Sequence, residues 1–195
     1  MTYRNREKFS APCAAFVGLW LLASPQLYAG QTGVRNAGAL KGQMKILEAV
    51  INEGLARTFA PPFGVLEKAK GSYLPDFGVV FSLEVDLYPV RVPSPFDLRP
   101  TSKEELAKAR KSKLERIGTI KQTVPQLLAD HASELRDLSP DDSIAVVVHL
   151  FDVPLEADDL PSQVVIEVKK RDLDQFWDKK LSQDALRGKM RTLEL

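Results

Sequence analysis

The chain has 195 residues, of which 44% are hydrophobic and 27% charged, a composition typical of one folded soluble domain and unlike that of a disordered chain. Its 27 basic and 26 acidic residues leave a formal net charge of +1. This near-neutral balance argues against a nucleic-acid-binding protein, because that affinity comes from many phosphate contacts made by lysine and arginine.

The first 29 residues are predicted to form a cleavable signal peptide. Three basic residues within the first eight positions precede an apolar run over residues 11–23, and Ala29 then precedes Gly30. This order of positive, apolar and small residues is typical of secretory signals. The apolar run, about 13 residues, is shorter than the roughly 20 that a membrane-spanning helix needs. Cleavage is therefore favoured over the alternative of an uncleaved membrane anchor, and the protein is expected in the periplasm or outside the cell.

Removal of this signal changes the chemistry of the chain. It deletes Cys13, the only cysteine, so the mature protein would form no disulfide or thiolate metal site and would carry no cysteine nucleophile. The signal also holds three of the basic residues and one of the acidic residues, so the net charge becomes −1. We expect a flexible arm over residues 30–37 and a single globular domain over residues 38–195.

The first half of this domain is predicted to contain one helix and one strand. Apolar residues three and four apart indicate an amphipathic helix over residues 38–59, with Asn36 as its N-cap and Pro61 after its end. Residues 72–87 then alternate apolar and polar side chains from Tyr73 onward, which predicts a strand with one buried face. Its aromatic residues Tyr73, Phe77 and Phe81 are interpreted as core, with a ligand groove as the alternative.

A second helix is predicted to begin near residue 102, where Ser102 and Glu105 have the spacing of a capping box. Pro125 is expected to kink or break this helix, and Thr123 with Gln126 would cap a new one. The polar face of the first part is strongly basic, and we interpret it as a solvated helix face with an anionic membrane surface or acidic partner as the alternative. Its cations are Lys103, Lys108, Arg110, Lys111, Lys113, Arg116 and Lys121.

The second half is predicted to supply the centre of the sheet. The apolar run over residues 144–151 suits a central strand covered on both faces, and residues 164–168 form another strand. A helix follows over residues 172–181, Ser182 caps a last short helix toward Met190, and residues 191–195 form a short strand or a tail. The predicted fold class is therefore α+β, with a three- to four-stranded, mostly antiparallel sheet and amphipathic helices packed on it.

No motif in the sequence identifies a catalytic, metal-binding or nucleotide-binding site in this domain. The two histidines, His131 and His149, have no partner at metal-ligand spacing, and partly buried structural imidazoles are the favoured interpretation. The acidic residues Glu156, Asp158 and Asp159 lack the order of a calcium loop, and a solvated loop is the simpler explanation. The nucleotide-binding and nucleophile-elbow motifs are missing as well. We therefore assign no catalytic residue, no metal ligand and no cofactor.

Two segments carry a loose family resemblance. Residues 44–50, with the sequence MKILEAV, and residues 73–81, with the sequence YLPDFGVVF followed by Glu84 and Val85, occur here together with a signal peptide. In this combination the chain resembles exported bacterial proteins of uncharacterised activity over roughly residues 40–87. The resemblance implies a bacterial envelope setting and no mechanism.

The sequence thus predicts an exported, non-enzymatic domain that binds a protein partner or associates with the cell envelope. The alternative is a periplasmic hydrolase whose site is assembled in space around His131 or His149 beside a carboxylate or hydroxyl. A weaker alternative is a peripheral membrane contact through the basic residues between 103 and 121. Neither nucleic-acid binding nor a transmembrane segment after signal cleavage is expected.

Overall fold

The structure is a computed structural model that describes residues 36–89, 102–151 and 160–195. All of them belong to one compact unit, Thr32–Leu195. The predicted signal peptide over residues 1–29 and most of the predicted arm over residues 30–37 lie outside the described residues. The acidic side chains of Glu156, Asp158 and Asp159 lie outside them as well.

Four helices and five strands make up the described part of the chain, together with one turn of 3-10 helix at Ala132–Glu134. The helices are α1 (Ala37–Thr58), α2 (Lys103–His131), α3 (Lys170–Trp177) and α4 (Gln183–Lys189). The strands are β1 (Gly64–Leu74), β2 (Gly78–Asp86), β3 (Ser143–Leu150), β4 (Gln163–Lys169) and β5 (Arg191–Glu194). The α+β class is confirmed, with one strand more than the upper number expected.

The sheet has the order β1-β2-β3-β4-β5, so each strand pairs with its neighbours in sequence. The β2–β3 pair is parallel and has α2 in its crossover, whereas the other three pairs are antiparallel. This arrangement follows a general rule, since parallel neighbours need a long connection and antiparallel neighbours do not. The two edges of the sheet are therefore β1 and β5.

One face of the sheet and the helices form the hydrophobic core. Alternate residues of β2, β3 and β4 point into it, as their period of two requires. The apolar stripes of α1, which contacts β1, and of α2, which contacts β4, belong to the same cluster. The largest fully buried side chains include Phe81, Leu47, Ile51, Leu128, Ile144 and Ile166. Phe81 is thus core, as predicted. Tyr73 is half-buried and packs on the same cluster, whereas Phe77 lies in a turn.

Helix α2 runs through Pro125 without a break, so the predicted break and the new cap at Thr123 are wrong. A proline removes one backbone hydrogen bond and ordinarily kinks or ends a helix. Here Val124 and Leu128, on either side of it, are fully buried in the core, and Pro125 is itself buried. We attribute the continuity of the helix to this packing. The caps predicted at Asn36, Ser102 and Ser182 hold, including both hydrogen bonds between Ser102 and Glu105.

The strand predicted over residues 72–87 is in fact the end of one strand and the whole of the next. Residues 75–77 form a turn, in which Asp76 has a φ of 62°, and Gly78 follows with a φ of 126°. A Cβ on Gly78 would lie 2.1 Å from the carbonyl oxygen of Ser143, so glycine is required by both the backbone angle and the space. The alternation hides the turn because it continues in phase from Tyr73 into β2.

Candidate binding surface

The edge at β5 has backbone groups that pair with no other strand in the described part of the chain. The N–H and C=O of Leu195 both bond Gln163, at 3.1 and 3.2 Å, which makes this a hydrogen-bonded pair of the antiparallel ladder. Along an antiparallel ladder, hydrogen-bonded pairs alternate with pairs that are not hydrogen-bonded. The register places Leu193 opposite Val165 in the next hydrogen-bonded pair. The N–H and C=O groups of Thr192 and Glu194 therefore point away from β4. We call these four groups the β5 edge.

The opposite edge, at β1, is covered by side chains of α1. The Ala69 N–H donates to Asn52 Oδ1 at 2.8 Å, and the Gly71 N–H donates to Glu48 Oε1 at 2.9 Å. Two register shifts interrupt the pairing of β1 with β2, between Val65 and Glu67 and again between Glu67 and Lys70. Bulges and covering side chains are the means by which sheet edges avoid further pairing.

A cavity of about 150 Å³ lies beside the β5 edge, on the side of the sheet that carries the helices. It is formed where α2, α4 and β5 meet. Its lining combines apolar, polar and cationic side chains, from Lys121, Gln122, Pro125, Arg187, Met190 and Thr192. We call it the β5 pocket. Because Thr192 belongs to both, the pocket and the β5 edge are one continuous surface.

The two cations of the β5 pocket differ in their partners. Lys121 Nζ forms an ion pair and hydrogen bond with the Glu194 carboxylate, which holds β5 to α2. Arg187 is exposed, and its guanidinium makes no ion pair or hydrogen bond with any residue that the structure describes, although its backbone carbonyl accepts from the Met190 N–H at 3.2 Å. The pocket therefore presents the positive charge of Arg187, while that of Lys121 is balanced by Glu194.

The predicted basic face of α2 is divided by the fold. Lys113 is only 5% exposed. Arg116 donates to the carbonyl oxygens of Pro62, Leu87 and Ala60, and its guanidinium also lies over the rings of Phe59 and Tyr88. These contacts tie the chain on either side of the β1–β2 hairpin to α2. Arg110 is engaged as well, so at least four of the seven predicted cations are buried or engaged and the seven do not form one free stripe.

No helix that the structure describes covers the side of the sheet away from the core, which we call the open face. Val80, Val147 and Val165 are half-buried there outside the core, and Leu193 is 37% exposed. On this face β3 is buried at Ser143 and Ala145 but exposed at His149, so the predicted covering of both faces holds at the start of the strand and not at its end. Among the described elements, every helix lies on the core side. Polar residues surround the apolar centre, and Ser143 Oγ donates to the Glu167 carboxylate at 2.9 Å.

Both histidines are exposed, so the interpretation of partly buried imidazoles is wrong. His131 ends α2 on the helix side, whereas His149 lies on the open face between Glu84 of β2 and Gln163 of β4. Neither imidazole hydrogen-bonds a carboxylate or hydroxyl within the described ranges. The two histidines therefore lie on opposite sides of the sheet, and the β5 pocket is lined by neither.

Other charged groups have structural partners. The buried Lys170 pairs with Asp174 and lies 5.2 Å from the Trp177 ring centroid, and the buried Asp172 accepts from Lys189 at 2.7 Å. Over residues 36–89, 102–151 and 160–195, no group of three or more histidine, cysteine or acidic side chains is placed to hold a metal ion. Within the same ranges no helix has the length and apolar character needed to cross a membrane.

One titratable group on the β1 side is perturbed. Burial raises the pKa of the Tyr73 phenol, and the nearby carboxylates of Asp142 and Asp76 raise it further. Both effects act in the same direction because each disfavours the phenolate anion. Tyr73 packs against the core, so we assign it a structural role.

Apart from Lys121, which belongs to the predicted basic face of α2, the residues of the β5 edge and pocket were missed by sequence reasoning. Residues 191–195 were predicted as a short strand or a tail, and the available signal was the RTLE alternation after the predicted short helix. Their position at an edge follows only from the strand order, which the sequence pattern does not contain. Arg187 carries no signal of its own, since an exposed arginine on a short helix is ordinary.

Comparisons with known proteins give no relative for this fold. No protein-family model matches the chain, and neither a curated protein nor a solved structure matches it. The resemblance to exported bacterial proteins therefore stays a prediction, and the β5 edge with its pocket is the best-defined candidate surface in the described part of the chain.

Proposed function

We propose that this protein is an exported domain that binds a protein partner by adding one of the partner's strands to the β5 edge. The observation that carries the proposal is the set of N–H and C=O groups of Thr192 and Glu194, which pair with no described strand and lie beside a cavity. Strand addition to a free sheet edge is a general mode of peptide recognition, in which main-chain hydrogen bonds supply affinity and neighbouring pockets supply specificity.

The contrast between the two edges supports this choice of surface. At β1, Asn52 and Glu48 occupy the N–H groups that an incoming strand would need. At β5 no side chain in the described ranges does so, and all four residues of the strand are exposed. A partner strand would therefore meet open donors and acceptors at β5 and occupied donors at β1.

The matched pair Thr192→Pro and Thr192→Ala tests this surface. Proline removes the N–H that faces away from β4 and leaves the bonds between β4 and β5 in place, whereas alanine keeps that N–H. We expect the wild-type protein and the alanine variant to retain the same partner from envelope extract, and the proline variant to lose it. Quantitative mass spectrometry of the captured proteins measures this. Equal capture by both variants, or capture by none of the three proteins, would contradict the proposal.

Export is tested separately, by sequencing the N-terminus of the protein recovered outside the cytoplasm. We expect it to begin at Gly30 or within about two residues of it, because small residues precede the cleavage site of secretory signals. A mature protein that begins at Met1 would remove the export part of the proposal and leave the β5 edge to the capture experiment.

A further inference from the structure

The β5 pocket lies where side chains of an added strand would point. Thr192 and Glu194 pair with Ile166 and Val164, whose side chains belong to the core face, so they lie on the helix side of the sheet. A strand that pairs with β5 would lie about 4.8 Å beyond it and keep the same alternation of faces. Every second side chain of that strand would therefore face the helix layer beside Thr192, at the mouth of the β5 pocket.

The charges around this position favour an acid. The guanidinium of Arg187 in α4 has no ion-pair or hydrogen-bond partner among the described residues, while Lys121 of α2 pairs with Glu194 of β5. The other groups that line the pocket, from Gln122, Pro125, Met190 and Thr192, are uncharged. An incoming carboxylate would thus meet one unbalanced guanidinium, the group best suited to bind it with two parallel hydrogen bonds.

The size of the pocket suits one such side chain. A cavity of about 150 Å³ has room for a glutamate or aspartate side chain, and the apolar surfaces of Pro125 and Met190 suit its methylene groups. We therefore propose that the β5 edge recognises an extended peptide with an acidic side chain directed into the β5 pocket against Arg187. This inference rests on the proposed function and names the chemistry of its partner.

A pair of short labelled peptides tests the inference on the full chain. One alternates threonine and valine with glutamate at a central threonine position, and the other has glutamine in place of that glutamate. Fluorescence anisotropy measures their affinities for the wild-type protein and for Arg187→Gln. The control variant is Lys103→Gln, which removes the same charge at the exposed start of α2.

We expect the wild-type protein to bind the glutamate peptide about fivefold more tightly than the glutamine peptide, and this preference to weaken at high salt. Arg187→Gln is expected to abolish the preference, and Lys103→Gln to keep it. Thr192→Pro is expected to abolish binding of both peptides. Protection of the Thr192 and Glu194 amides from hydrogen exchange by the glutamate peptide would place the peptide on β5.

The possible results separate a failure of this inference from a failure of the proposed function. If both peptides bind equally and Thr192→Pro abolishes both, strand addition stands and the acidic side chain is overturned. If neither peptide binds, the inference is overturned, while the capture experiment with Thr192→Pro still decides the proposed function. If the chain instead forms a dimer that Thr192→Pro dissociates, as measured by sedimentation, the occupant of the edge is a second copy and the acidic peptide is again overturned.

Discussion

The two edges of one sheet are treated differently in this protein. At β1, α1 places Asn52 and Glu48 against the outward N–H groups of Ala69 and Gly71, and two bulges interrupt the strand. At β5, a four-residue strand leaves its outward groups without such cover in the described part of the chain. Natural sheets generally protect long edges, since unpaired edges invite association. A sheet edge whose backbone groups are left uncovered beside a cavity is therefore a candidate binding site for a partner strand.

The largest loss of stability is expected from a larger side chain on β1, at the edge that α1 covers. A Cβ on Gly71 would lie 2.9 Å from Phe81 Cε1 and 3.3 Å from Met44 Cβ, so glycine lets α1 approach β1 closely. We expect Gly71→Val to lower the free energy of unfolding by about 3 kcal/mol through overpacking. Denaturant titration measures this. Gly42→Ala is the control, because nothing lies within 4 Å of the added carbon and alanine favours the helix by about 0.5–1 kcal/mol. Equal effects of both variants would argue against a close contact at β1.

A smaller loss of stability is expected from removing the side chain of Asn52, which covers the β1 edge. Asn52→Ala leaves the N–H of the buried Ala69 without its acceptor, which should lower the free energy of unfolding by about 1–2 kcal/mol. Asn52→Asp keeps an acceptor at the same place and should recover much of the loss. Thermal unfolding of the three proteins measures this. If aspartate is no better than alanine, the hydrogen bond does not protect β1.

The matching change at the open edge should have little effect on stability. Thr192→Pro removes an N–H that bonds no strand, so we expect the free energy of unfolding to change by less than about 0.5 kcal/mol. Leu193→Pro should be clearly worse, because the N–H of Leu193 pairs with Val165 in the ladder. Denaturant titration of both variants measures the difference. A Thr192→Pro protein as unstable as Leu193→Pro would show that the register at β5 is wrong.

The smallest change in stability is expected at alkaline pH, from the titration of Tyr73 on β1. The pKa of Tyr73 is raised by burial and by Asp142 and Asp76, so the unfolded chain releases this proton at lower pH than the folded protein does. The contribution of this group to the free energy of unfolding is therefore fully present below the ordinary tyrosine pKa of about 10 and is lost as the pH rises through the raised pKa of the folded protein. Tyr73→Phe should show a flatter decline of stability in that window, as measured by thermal unfolding at several pH values. An unchanged slope would indicate that Tyr73 titrates normally.

The sequence predicted the elements whose signals are local. The Asn36 and Ser102 caps, the apolar stripe of α1 and the apolar run of β3 each contain their own evidence, and the structure confirms them. Pro125 was misjudged because the packing of Val124 and Leu128 is a property of the whole fold. The start of β1 was missed because its charged residues and bulges break the period of two.

The candidate site was beyond the reach of the same reasoning. Thr192 is an edge residue only because β4 is its sole neighbour in the sheet, and Arg187 matters only because α2 lies opposite it across the cavity. Both facts depend on contacts between distant parts of the chain. The histidines are candidates because of their chemistry, and the structure leaves both exposed, with imidazoles that make no hydrogen bond or ion pair in the described ranges.

The parallel pair at the centre of the sheet has a consequence for folding speed. The β1–β2 hairpin joins residues close in sequence, whereas β2 and β3 bring Gly78 to Ser143, a separation of about 65 residues. The entropy of closing so long a segment must be overcome before the contacts of the sheet centre form. We therefore expect the hairpin to form early and the central pairing to limit the folding rate, so that changes in β3 slow folding more than changes in β1.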